Sequence, residues 1–262
     1  MNLELAEKYI VVTGGAKGIG RGIVESLAAE MAIPVIVGRN AADNRECLDF
    51  IHHLAPHAFS VEADLTSNEA CKMACEEILA RSGNQVFGLV NNAGLNDGVG
   101  LENGSYDDFI RSLHNTLVHY YLMAHYLLPS LKKNKGSILN IGSKTAETGQ
   151  GNTSGYAASN GGRNALTREW AVELAKYSVR VNAIIVAECF TPQYAKWINQ
   201  FNDAENRLKG ITKNIPFEQR MTTVKEIADT AVFLLSPLSS HTTGQLIHVD
   251  GGYVHLDRAY QR

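Results

Sequence analysis

No stretch of this chain stays apolar for the roughly 18 residues that a membrane-spanning helix requires, so no membrane partner is expected. Cysteine is scarce and scattered. Cys47, Cys71, Cys75 and Cys189 form no C-x-x-C pair and no Cys/His group at zinc spacing, so neither a bound metal nor a redox dithiol is expected. An excess of one charge is missing too: 24 Lys and Arg against 27 Asp and Glu leave a net charge of −3, too small to draw the chain onto nucleic acid or an anionic lipid surface. Residues 1–8 lack a cationic segment followed by an apolar run, so no secretory leader is expected and the cytoplasm is the expected compartment. No Pro-, Gly- or Ser-rich linker and no internal repeat divides residues 1–262, which are expected to form one domain.

What is present is an alternation of short apolar runs with longer amphipathic stretches, the pattern of βαβ units around a mainly parallel sheet. Strands are expected at 9–13, 33–37, 59–62, 87–91, 137–141, 179–185 and 246–249, with a helix over 19–31 after the first. Seven strands imply a doubly wound α/β sheet with helices on both faces. Residues 192–222 break this rhythm: 193–201 look helical but lie between a strand and the next regular helix. Insertions of this kind are commonly functional, and a substrate lid is expected here.

Between the first strand and its helix runs Thr13-Gly14-Gly15-Ala16-Lys17-Gly18-Ile19-Gly20. Glycines there let the backbone turn tightly and approach a pyrophosphate, which the helix amino terminus then meets with free N–H groups and partial positive charge. The T-G-x-x-x-G-x-G spacing, Asn91-Asn92-Ala93-Gly94 after the fourth strand, and Asn115, Ser143 and Tyr156 in that order resemble the short-chain dehydrogenase/reductase family over essentially the whole chain. The resemblance implies a Rossmann fold, a nicotinamide cofactor and catalytic roles for Asn115, Ser143 and Tyr156. It places Gly14, Lys17, Gly18, Ile19, Gly20, Asn92, Ala93 and Gly94 against the cofactor, with Asp64 and Leu65 at the adenine and Thr191 at the nicotinamide carboxamide. It further implies a homo-oligomer, a dimer or tetramer. Asp64 has a second reading, as a cap on the helix that follows.

The choice between NADP and NAD is expected at the end of the second strand, where a carboxylate would hold the ribose 2′-hydroxyl and repel a 2′-phosphate. Val37-Gly38-Arg39-Asn40 holds no carboxylate, and Arg39 with Lys17 offers two cations, so NADP is favoured and NAD is the alternative. Each cation taken singly also reads as an ordinary solvated surface charge.

Residues 154–176 read as a long helix starting near a Ser154 cap, with Tyr156 and residue 160 on one face. A tyrosine hydroxyl titrates at about pH 10, so acid/base work near neutrality requires stabilising its phenolate. The resemblance implies a lysine four residues after the tyrosine for that purpose, also bonded to the nicotinamide ribose. This chain has Asn160. An amide still bonds ribose hydroxyls but carries no charge, so Tyr156 is expected to act with depressed turnover at neutral pH and Asn160→Lys to raise it. Two other accounts stay open: Lys144 supplies the charge, although neighbours on a strand face opposite sides, or the chain binds nucleotide and ligand with little catalysis. Gly161-Gly162 inside the same helix read either as close backbone approach, to the cofactor or to the same helix of another subunit, or as glycine tolerated within a well-packed bundle.

Around Ser143 and Tyr156 the chain is polar, with Asn96, Asp97, Lys144, Glu147, Gln150 and Asn152, and Glu188 follows the sixth strand. Hydroxyl-rich ligands need many placed donors and acceptors, whereas a sterol or acyl pocket needs apolar walls. A sugar or polyol substrate is therefore expected, bound by Asn96, Lys144, Glu147, Asn152, Glu188 and Trp197. Residues 91–100, 151–156, 167–171 and 240–258 are also similar to bacterial L-fucose dehydrogenases, which implies oxidation of the anomeric carbon of an aldose; reduction of a ketone or 3-oxoacyl group is the alternative. Trp197 and Phe201, four apart, read either as an aromatic lid or as helix packing. Tyr253, His255 and Arg258 read either as pocket closers or as a solvated tail.

Overall fold

The computed structural model describes residues 2–257. Its first half runs β1 (Tyr9–Thr13), α1 (Gly18–Ala29), β2 (Ile33–Gly38), α2 (Ala41–Ile51), β3 (Phe59–Glu62), α3 (Asn68–Arg81) and β4 (Val86–Asn91). The second half runs α4 (Tyr106–Leu113), a π-helical turn His114–Val118, α5 (His119–Lys133), β5 (Ser137–Ser143), α6 (Ser154–Leu174), β6 (Arg180–Val186), α7 (Pro192–Ile198), α8 (Ala204–Lys213), α9 (Val224–Leu235) and β7 (Leu246–Val249). All seven strands are parallel in the order β3-β2-β1-β4-β5-β6-β7. The expected α/β doubly wound sheet is therefore present, with Rossmann-type winding.

Strands buried on both faces explain the near-continuous Val and Ile in β1, β2 and β6. Alternate β1 residues feed two cores. Ile10 and Val12 pack with Ile23, Leu27, Ile227 and Leu235 from α1 and α9, while Val11 packs with Ile78, Tyr120, Met123 and Leu174 from α3, α5 and α6 on the other face. α1 and α9 approach so closely that a Cβ on Gly22 would lie 2.1 Å from Val224 Cγ1. The winding reverses between β1 and β4, and the carboxyl ends of those strands open the crevice where doubly wound sheets bind ligands.

Boundaries moved where backbone geometry overrode pattern. The first helix begins at Gly18 and ends at Ala29, because Met31 takes a left-handed φ of 59°. β5 extends to Ser143, which places Lys144 in a one-turn 3-10 helix and not on the strand. The long helix ends at Leu174, passes through a 3-10 turn and reverses at left-handed Ser178; its N-cap is Thr153, with Ser154 already helical. Residues 192–222 are α7, α8 and their connections, an excursion closed at its base where Thr222 N donates to Glu188 O at 3.0 Å. Among the described residues no helix is long and apolar enough to cross a membrane.

Candidate active site

The glycine loop lies at the carboxyl end of β1. Gly14 and Gly18 have φ of +64° and +55°, and a Cβ on Gly20 would fall 2.2 Å from the Gly14 carbonyl. α1 starts at N-cap Lys17 with no capping side chain and no acidic residue in its first turn, so its leading N–H groups stay open to an anion. These features fit a dinucleotide pyrophosphate. Asn92 braces the loop: its Nδ2 donates to Thr13 O at 2.9 Å and Gly14 O at 3.3 Å, while the Asn92 and Ala93 amides donate to Thr13 Oγ1 at 2.9 and 3.1 Å. A Cβ on Gly18 would touch Thr191, which caps α7 by accepting from Tyr194 N at 3.2 Å, so the strand ends β1, β4 and β6 converge here.

Lys17 and Arg39 are both exposed. Lys17 Nζ sits 2.7 Å from Asp43 Oδ2. Arg39 acts on Asp64, whose carboxyl is lowered chiefly by hydrogen bonds from Thr66 N and Oγ1 and also by that guanidinium. Asp64 does not cap the next helix: Ser67 does, accepting from Ala70 N at 3.3 Å. Leu65 is half-buried beside Asp64.

Asn115 lies in the π turn between α4 and α5, where the shifted hydrogen bonding frees backbone carbonyls. Two side chains take them up. His119 Nε2 donates to Asn115 O at 3.2 Å, and Arg163 Nε donates to Thr116 O at 3.0 Å. Burial and then Arg163 bring the His119 imidazole down to about 3, so it is neutral. Asn115 also lines a cleft of 370 Å³ with Leu95, Asp97, Val99 and Arg111. Gly162 faces the same turn, where a Cβ would meet Leu117 Cδ2 at 2.8 Å, while Gly161 faces open space.

Ser143 ends β5, its hydroxyl accepting from Thr145 N at 3.3 Å and Thr145 Oγ1 at 3.1 Å. α6 packs on this strand, with Arg163 Nη1 donating to Ile141 O at 2.9 Å, so the helix's first turns and half-buried Tyr156 stand at the carboxyl edge of the sheet. Asn160 is fully buried, with Nδ2 donating to the Tyr156 carbonyl at 2.8 Å and Oδ1 accepting from Arg163 Nη1 at 3.0 Å.

Lys144 is also buried, but it turns toward Glu188 as an ion pair and lies 3.9 Å from the centre of the Tyr253 ring. Burial and Glu188 push the nearby Tyr194 phenol up. Glu147 accepts from His248 at 3.0 Å, and His255 lies 3.3 Å from the other nitrogen of His248. Phe190, Tyr194, Trp197 and Phe201 form a run of tilted and edge-on ring contacts through α7 and its flanks, with centroids 5.2 to 6.0 Å apart. Asn96 and Asn152 stand exposed on loops that meet where Gly155 N donates to Val99 O at 3.3 Å. Arg258 lies outside the described residues.

Comparison with known proteins gives these features a family. Residues 14–254 match the family described as Enoyl-(Acyl carrier protein) reductase. The chain belongs to the short-chain dehydrogenase/reductase family. It is similar to L-xylulose reductase of Bos taurus, 34% identical over 259 residues, which covers 97% of this chain and 99% of the relative. It is likewise similar to 3-oxoacyl-(acyl-carrier-protein) reductase FabG of Chlamydia pneumoniae, 31% identical with 96% and 99% covered. L-fucose dehydrogenase of Bos taurus is 30% identical with 96% and 91% covered. Among solved structures, Cj0485 dehydrogenase superposes with a TM-score of 0.96 at 47% identity over all of both chains. The ligand-free aldohexose dehydrogenase of Thermoplasma acidophilum superposes at 0.89 with 26% identity, again over all of both chains. This member of the short-chain family is therefore an oxidoreductase that uses NAD(P) and acts on a small molecule.

Residues not foreseen from the sequence surround the member's tyrosine helix. Arg163 is the foremost: its spacing of seven from Tyr156 puts both on one helix face, but a lone arginine near a glycine pair carries no motif. His248 likewise acquires its partner Glu147 only through tertiary packing.

Proposed function

We propose that the enzyme oxidises the anomeric carbon of an aldose such as L-fucose, with Tyr156 as acid/base, Ser143 orienting the reacting hydroxyl and Asn115 and Asn160 completing the constellation. The observation that carries this reading is the buried Lys144–Glu188 pair directly after Ser143 and against Tyr253. A charged pair so little exposed is costly unless its remaining hydrogen-bonding capacity is used. A ring bearing several hydroxyls uses it, and an acyl chain does not. Trp197 and its neighbours on α7 supply aromatic faces for the apolar side of a sugar, so residues 192–222 act as the lid. Asn96, Glu147 and Asn152 bound the same edge. Similarity to an L-fucose dehydrogenase and an aldohexose dehydrogenase supports the substrate class.

In the oxidising direction the anomeric hydroxyl donates its proton to the Tyr156 phenolate. The C–H electron pair leaves as hydride and the C–O bond becomes the carbonyl of a lactone. The nicotinamide nucleotide, when bound, supplies the hydride acceptor. Gly14, Gly18, Ile19 and Gly20 would hold its pyrophosphate, with Ala93, Gly94 and Thr191 against the nicotinamide half and Asp64 with Leu65 at the adenine. Arg39, aided by Lys17 once released from Asp43, favours NADP over NAD. A cytoplasmic homo-oligomer is part of the same reading. The 80% exposed Val172 on α6 is apolar surface that a second subunit would cover.

A second reading, reduction of a 3-oxoacyl group, is favoured by the FabG similarity. A panel of aldoses, polyols and a 3-oxoacyl thioester, assayed with NADP(H) and NAD(H) at neutral and alkaline pH, separates the two. Lactone formation from an aldose is expected; turnover of the thioester alone overturns the sugar assignment.

A further inference from the structure

α6 carries a cation that nothing among the described residues neutralises. Arg163 is 3% exposed. Its Nε and Nη2 both donate to the Thr116 carbonyl, and its Nη1 donates to Ile141 O and Asn160 Oδ1. The guanidinium stacks 4.0 Å over the Tyr120 ring. Every acceptor is neutral, and no carboxylate of the described residues forms an ion pair with it. A buried charge without a counter-charge is strongly unfavourable, and its retention at a functional site points to an anion that appears there during function.

Two placements point to that anion. Arg163 stands two helical turns from Tyr156 on one face, and Asn160, between them, is bonded to both: it donates to the Tyr156 carbonyl and accepts from the guanidinium. Arg163 also reaches the loop after β4, where a Cβ on Gly94 would lie 2.8 Å from Nη2.

We propose that Arg163 is the positive charge that stabilises the Tyr156 phenolate during turnover, with Asn160, bonded to the Tyr156 main-chain carbonyl, holding the guanidinium to the tyrosine's side of α6. The guanidinium and the amide together then do what a lysine at 160 would do alone. The assignment rests on Tyr156 being the acid/base of the proposed dehydrogenase. The other ionisable groups around the guanidinium are His119 and Tyr120 of α5. Burial holds both uncharged, so neither supplies the missing cation. Lys144, after β5, is committed to Glu188. Arg163 acts through another residue, so it is a positioning residue and not one that touches substrate.

The first measurement needs no cofactor. In full-length protein labelled at the tyrosine ζ-carbon, the Tyr156 signal is assigned by its loss in Tyr156→Phe, and its titration is followed by NMR. Removing an opposite charge raises the titration, so Arg163→Met should move it up by one pH unit or more on the scale of about 1 to 3 that such charges exert. The ascending limb of kcat for sugar oxidation should move with it, lowering the rate at neutral pH about tenfold, while KM stays nearly constant. Arg163→Lys should restore most of both.

If Arg163→Met does not fold, Arg163→Gln, which keeps donors for Thr116 and Ile141, replaces it. A folded neutral variant whose Tyr156 titrates where the wild type does overturns the proposal. Turnover retained in Tyr156→Phe would instead sink the acid/base reading and leave the charge measurement standing.

Discussion

Placing lysine at 160 by itself should weaken the fold, although the family pattern invites that change. Asn160 is fully buried and uses its carbonyl oxygen to accept from Arg163 at 3.0 Å. An ammonium group cannot accept, so the substitution turns a hydrogen bond into a contact between two cations. At a separation of about 4–5 Å and an effective dielectric near 20, that repulsion is roughly 3–4 kcal/mol. The lost bond to a charged donor adds about 1.5–3 kcal/mol. Together these approach the whole margin of a domain stable by about 5–15 kcal/mol.

Asn160→Lys combined with Arg163→Met removes the repulsion, so the double variant should be about 3 kcal/mol more stable than the two single effects summed. Urea denaturation of wild type, both single variants and the double at neutral pH, followed by the fluorescence of Trp170 and Trp197, measures this coupling. Asn160→Lys as stable as wild type, or a double variant no better than the sum, would refute the assignment of Arg163 as the neighbouring charge.

Three further outcomes follow from the geometry. A Cβ on Gly20 would lie 2.2 Å from Gly14 O and 2.6 Å from Asn92 Nδ2, so Gly20→Ala must distort the loop. Its affinity for NADPH, read by fluorescence titration, should fall more than about tenfold, one such factor being about 1.4 kcal/mol; unchanged affinity argues against the cradle. His119 is held neutral down to about 3, whereas an unfolded histidine takes its proton near 6.5, so the unfolded state binds more protons between those values. Stability should therefore drop by about 1.4 kcal/mol per pH unit below 6.5, and His119→Gln should flatten the pH dependence of the stability, read from urea melts at several pH values, by one proton; an unaltered pH dependence contradicts the buried neutral assignment. All four cysteines are buried, and burial pushes Cys75 and Cys189 up to about 12, so a thiol reagent should modify the native protein far more slowly than the urea-unfolded chain.

Much of the fold was legible because its signals are local. The apolar runs of β1, β2 and β6 needed only periodicity, and the glycine loop needed only its position after a strand. The errors lie where a neighbour decides. Asp64 reads equally as a cap until Ser67 is seen to cap α3. Lys144 reads as a strand residue facing away until β5 ends at Ser143 and Glu188 arrives from β6. Gly162 reads equally as a packed glycine, and its near neighbour is Leu117 of the π turn, a feature with no sequence signature. Asn160 looked like a simple loss of charge because Arg163 comes into play only through the carbonyls of Thr116 and Ile141, supplied by other elements.

Arg163 is also anchored through its main-chain carbonyl to a buried polar chain. Asn91 on β4 donates to Asn140 on β5, Asn140 donates to Thr167 on α6, and Thr167 donates to the Arg163 carbonyl, each within 2.8 to 3.0 Å. Next to Asn91, Asn92 ties the glycine loop to the same strand end. These bonds hold the glycine loop, β4, β5 and α6 in one register, with Asn91 Oδ1 left as a buried acceptor that has no hydrogen-bond partner among the described residues. The guanidinium is fixed before any anion forms by its own bonds to Thr116 O, Ile141 O and Asn160 Oδ1. A charge already oriented costs no reorganisation when the phenolate appears, which is the condition under which a single buried cation is most effective in catalysis.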